Sequence, residues 1–173
     1  MPFDAAIVAA HVAAIGNGRW FELVGLPFSD DERVALAALA PRAVRIASWE
    51  EARRAADDTR ANPAYDADAG EVVALKARAL AVTAPDELLR VMSALVDRGL
   101  DVFHQAAKRA AARAGITDEE LTRVAAGAAA EAAYRGALAA AVDGGSHRFA
   151  RTARIFASGR WPLARIDDTL FVF

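Results

Sequence analysis

Asp97, Asp101, His104 and Lys108 fall on one stripe of a helix. The two acids stand seven and three residues before the histidine, and the lysine stands four after it. A carboxylate one turn before an imidazole can orient the ring for proton transfer, or place two metal ligands on one face. Metal sites in helical bundles need such pairs from two helices plus further acids, and this chain offers one pair. The stripe is read first as solvated ion pairs, and no catalytic residue is assigned. His104, Asp101 and Asp97 remain the candidates for an enzymatic or small-ligand site, which would require His104 to face inward. Arg98 stands six residues before His104, a spacing that recurs by chance in so Arg-rich a chain and defines no motif. No Ser–His–Asp pattern and no Gly-rich phosphate loop is detectable, and Gly16-Asn17-Gly18 precedes no strand-to-helix transition.

The other histidines have plainer readings. His11 lies between Ile7 and Ile15 and reads as a core-edge residue. His147 sits among arginines, where like charge disfavours a metal. With no cysteine, disulfides, thiolate metal sites and cysteine nucleophiles are excluded. No metal or cofactor is expected.

Positive charge gathers near the end of the chain. Arg148, Arg151 and Arg154 fall within about one helical face, with His147, Arg160 and Arg165 nearby. No acid occurs between Gly144 and Ile166. Arginines grouped without acids focus potential and recognise carboxylates or phosphates. His147, Arg148, Arg151 and Arg154 are therefore the expected binding residues, and an acidic protein is the expected partner. The plainer alternative is a solvated face that balances the acid-rich N-terminal half. A formal net charge of −2 gives no global attraction to nucleic acid or anionic lipid.

The elements that carry these residues are read from composition and punctuation. Alanine makes up roughly a quarter of the 173 residues, far above ordinary usage. It has the best helix propensity and lets helix backbones approach closely. Hydrophobic residues make up 55% of the chain, enough for a sizeable core, and charged residues 25%. Met1-Pro2-Phe3-Asp4 lacks a basic n-region, and the Ala run from Ala125 to Val142 contains Glu131 and Arg135. A cytoplasmic protein with no membrane span is expected.

Asp4 caps a first helix that Gly16-Asn17-Gly18 stops. Ser29/Glu32, Ser48/Glu51 and Thr117/Glu120 have capping-box spacing, and Asp68 with Glu71 resembles a further capped start. Residues 42–47 read as a connecting strand or an irregular link. Pro85 opens a long helix to about Ala114, kinked or loosened at Gly99, and Ser146 starts a final helix to about Ala157. Residues 161–173 are rich in strand formers, with Asp167-Asp168 at two-residue hairpin spacing. A lone hairpin is marginal, so it must dock or pair with something.

The helix from Asp118 to Val142 carries a ridge of almost no side-chain bulk: Ala125, Ala129, Ala132, Gly136 and Ala140. It predicts close helix packing, within one chain or across a homodimer. Trp20, Trp49 and Trp161 each sit at an element boundary. They are expected to close the ends of the core with the indole N–H on a carbonyl, a shared aromatic ligand pocket being the alternative.

The fold class is thus all-α: one orthogonally packed multi-helix domain of about seven or eight helices over residues 1–173, with a β-hairpin at 161–173. The expected function is that of a non-catalytic accessory protein that binds through the basic last helix and the adjoining hairpin edge.

Overall fold

The computed structural model describes residues 3–60 and 64–173. The described residues form seven helices and three strands. α1 (Ala5–Ile15) opens on Asp4, whose carboxylate accepts from the Ala6 N–H at 2.9 Å. Residues 20–25 form turns that bury Phe21, a non-glycine residue at φ 62°. α2 (Asp30–Ala37) starts at the Ser29–Glu32 capping box, with both of its reciprocal bonds present. β1 (Arg42–Arg45) follows, then α3 (Trp49–Arg60), where Ser48 Oγ accepts from the Glu51 N–H at 3.2 Å.

α4 (Ala64–Leu80) begins earlier than the expected cap at Asp68, so Asp68 and Glu71 are interior helical residues with carboxylates free to pair elsewhere. α5 (Pro85–Arg113) runs unbroken through Gly99. A Cβ on Gly99 would lie 2.4 Å from the Phe103 ring. The missing side chain thus makes room for Phe103, which meets the Trp20 ring edge-on at 4.5 Å.

α6 (Glu119–Asp143) is the central helix and packs against α1, α4, α5 and α7 (Arg148–Ala157). Its cap is Asp118 rather than Thr117. The Asp118 carboxylate accepts from the Leu121 N–H at 3.0 Å and is held by the Arg53 guanidinium. The small-residue ridge is filled from within the chain. A Cβ on Gly136 would stand 2.5 Å from the Ala153 Cβ of α7, and Ala125, Ala129, Ala132 and Ala140 are buried. The ridge is therefore not available as a homodimer seam.

The hairpin is real and has a third member. β2 (Pro162–Ile166) and β3 (Thr169–Val172) pair antiparallel across Asp167, which takes the left-handed conformation at φ 51°. β1 joins β3 in parallel, with Ala43 opposite Leu170 and Arg45 opposite Val172, and the sheet order is β1-β3-β2. This pairing supplies the support that a lone hairpin lacks. A small second core of Leu36, Ala40, Ile155, Leu170 and Val172 ties α2 and α7 to the sheet.

The indoles meet the expectation once. Trp20 Nε1 donates to the Ile15 carbonyl at 2.8 Å, but Trp49 and Trp161 Nε1 are buried without a hydrogen-bond partner among the described residues. Those two rings pack against each other and against Phe173, while the Trp161 and Phe173 backbones bond one another. Aromatic contact rather than hydrogen bonding holds them. Among the described residues, no helix is long and apolar enough to cross a membrane.

Candidate functional site

α7 is anchored by Phe149, Ala150, Ala153, Ile155 and Phe156, all buried. The basic residues on it and at its two ends, grouped together by sequence, divide into three environments.

His147 and Arg148 are drawn into an ion network with α4 and α6. Arg148 Nε donates to Glu71 Oε2 at 2.8 Å, and its Nη2 donates to Asp68 Oδ1 at 2.6 Å and to Glu71. Burial opposes the guanidinium charge, but the Asp68 and Glu71 carboxylates outweigh it and hold the Arg148 pKa above its ordinary value. His147, not Ser146, caps α7: its Nδ1 accepts from the Phe149 N–H at 3.1 Å. An accepting Nδ1 puts the ring proton on Nε2, which faces Glu71 Oε1 at 2.8 Å. The Ser146 carbonyl is meanwhile occupied by Arg151 Nε. Asp68 also pairs with Arg135 at 3.6 Å, Arg135 with Glu131, and Asp143 with Arg78 at 2.7 Å.

Arg160 is buried, with a relative exposure of 2%. Its guanidinium donates to the carbonyls of Leu23, Leu26 and Pro27, and to Glu32 at 2.6 Å and 3.1 Å. Sequence counted Arg160 only as one more charge beside α7. Glu32 reads in the sequence only as the acid of the Ser29 capping box, and no local signal joins it to Arg160.

Arg151 and Arg154 form the third group. Arg151 donates to the Ser146 and Ala38 carbonyls at 2.7 Å and 2.8 Å. Arg154 donates to the Gly145 carbonyl at 3.0 Å. Neither reaches a carboxylate among the described residues. Neutral acceptors orient these guanidiniums without cancelling their charge.

The α5 stripe does not assemble. His104 is half-buried, and Asp101 and Asp97 are exposed. None of the three makes a hydrogen bond or ion pair with a described residue. No group of three or more His, Asp or Glu side chains among the described residues is placed to hold a metal ion. His11 Nδ1 lies 2.8 Å from the Ile7 carbonyl oxygen on its own helix.

Asp97 instead lines a cleft between α4 and α5. Two adjoining depressions, of about 390 Å³ and 340 Å³, share Lys76, Val96 and Tyr134. Leu80, Leu88, Leu89 and Met92 wall the smaller one, and Ser93 and Asp97 also line it. The Lys76 ammonium lies 5.2 Å from the centroid of the Tyr134 ring. Nothing in the sequence marked this cleft, because its sides come from three helices.

The chain matches no protein family, no curated protein and no solved structure.

Proposed function

We propose that this chain is a non-catalytic cytoplasmic accessory protein that binds an acidic protein segment on the outer face of α7. One observation carries this reading: Arg151 and Arg154 project one helical turn apart from a helix locked to the core, and both lack carboxylate partners among the described residues. Their bonds to neutral carbonyls reduce the rotamer freedom that would otherwise be lost on binding. Arg148 and His147, which sequence grouped with them, serve here to fasten the helix base to α4.

Exposed ion pairs are worth roughly 0.2–1 kcal/mol each and weaken with salt. Two arginines therefore set orientation and on-rate more than affinity. The test is fluorescence anisotropy with a labelled Asp/Glu-rich peptide at low and physiological ionic strength. Binding should weaken with salt and fall about tenfold or more in R151E/R154E, a loss of roughly 1.4 kcal/mol. K108E, at an exposed position of α5, should leave it unchanged. Equal binding by wild type and R151E/R154E would overturn the assignment.

A further inference from the structure

We infer that the α4–α5 cleft is a binding site for a small zwitterion with an apolar side chain, an α-amino acid such as leucine. Lys76 of α4 and Asp97 of α5 both line one cleft, so it carries opposite charges from two helices. Neither side chain forms an ion pair or hydrogen bond with the other or with another described residue. Ser93 and Tyr134 line the same cleft, and their hydroxyls make no hydrogen bond with a described residue. Asp97, Ser93 and the Tyr134 hydroxyl thus border one apolar wall without hydrogen-bond partners among the described residues, and Lys76 meets only the Tyr134 ring.

Charge selects the ligand class. A simple carboxylate would gain Lys76 but meet the like charge of Asp97. A simple amine would gain Asp97 but meet Lys76. A zwitterion satisfies both at once, with its carboxylate toward Lys76 and its ammonium toward Asp97. Leu80 and Leu89 are 46% and 67% exposed on the adjacent wall, where an aliphatic side chain would cover them. The depression that holds Asp97, Ser93 and the leucines has a volume of about 340 Å³, at the small end of ligand sites, and suits one amino acid. Tyr134 floors the site and steadies the Lys76 ammonium over its ring.

The site uses no residue of α7, so loss of acidic-peptide binding would leave it untouched. Lys76 and Asp97 are exposed, so replacing either leaves the core intact. The experiment is a heteronuclear NMR titration of the full chain, which detects binding at the roughly millimolar affinity expected of so small a ligand. L-Leucine should shift amide signals of α4 and α5 around Lys76, Ser93 and Asp97. 4-Methylpentanoate, lacking the ammonium, and isoamylamine, lacking the carboxylate, should each bind about tenfold more weakly or not at all. K76Q should weaken leucine and not the amine, and D97N should weaken leucine and not the carboxylate. No shifts with leucine, shifts elsewhere, or equal binding of leucine and 4-methylpentanoate would each overturn the proposal.

Discussion

Arg160 Nε lies 2.6 Å from Glu32 Oε1, joining two residues separated by 128 positions in the chain. Glu32 serves twice: Oε2 accepts from the Ser29 N–H at 2.7 Å as the far arm of a capping box, and both carboxylate oxygens accept from Arg160. The same guanidinium gathers three carbonyls of residues 23–27, so one buried cation organises the turn ahead of α2.

Replacing Arg160 should be the most damaging single change among the charged residues. R160M leaves three carbonyls without their donor and a partly shielded carboxylate with only the Ser29 N–H. The expected loss is about 3–5 kcal/mol, as for other broken buried pairs. E32Q should cost less, since the carbonyls still receive the guanidinium. Urea denaturation followed by circular dichroism would rank the two; equal stability of R160M and wild type would refute this role.

Acid should weaken the fold through Glu32. The Arg160 hydrogen bond lowers its pKa from 4.5 to about 2, with the Ser29 backbone bond adding to it and burial opposing. A depressed carboxylate pKa contributes stability that is fully present above the unfolded value and is lost as pH falls through the folded one. The window therefore runs from about pH 4.5 down to about pH 2. Solvent reaches this carboxylate, so we expect roughly 2 kcal/mol, less than full linkage would give. E32Q should flatten that part of the pH–stability curve, and an unchanged slope would contradict the assignment.

Two glycines of α6 should respond oppositely to the same substitution. A Cβ on Gly136 meets the Ala153 Cβ at 2.5 Å and the Phe149 carbonyl oxygen at 3.2 Å, so G136A must push α7 outward. That overpacking should cost about 1–3 kcal/mol. A Cβ on Gly127 meets nothing within 4 Å, so G127A should raise stability by about 0.5–1 kcal/mol through helix propensity. Thermal melts of the pair would check both signs.

His147 should be replaceable by another N-cap acceptor. H147A removes the acceptor for the Phe149 N–H and should cost about 1 kcal/mol, while H147N should recover most of it. Recovery would show that the imidazole acts here as a cap. Equal loss in both variants would place its value in the contact with Glu71 instead.

What could be read along the chain was whatever a few neighbouring residues settle among themselves. The Asp4 cap, the Ser29–Glu32 box, the continuous α5 phase and the hairpin turn at Asp167 all depend on contacts within about five positions. Local rules failed where two of them competed within a residue or two. Asp118 displaced Thr117 because Arg53 holds it, and His147 displaced Ser146 because Glu71 holds its ring. Other features depended on distant segments meeting: the parallel pairing of β1 with β3, the burial of Arg160, the capture of Arg148 by α4, and the cleft over Tyr134. Arginine reads as the same charge wherever it stands in a sequence. Whether it is spent inside the fold or offered to a partner follows from which carbonyls and carboxylates the packed helices carry to it.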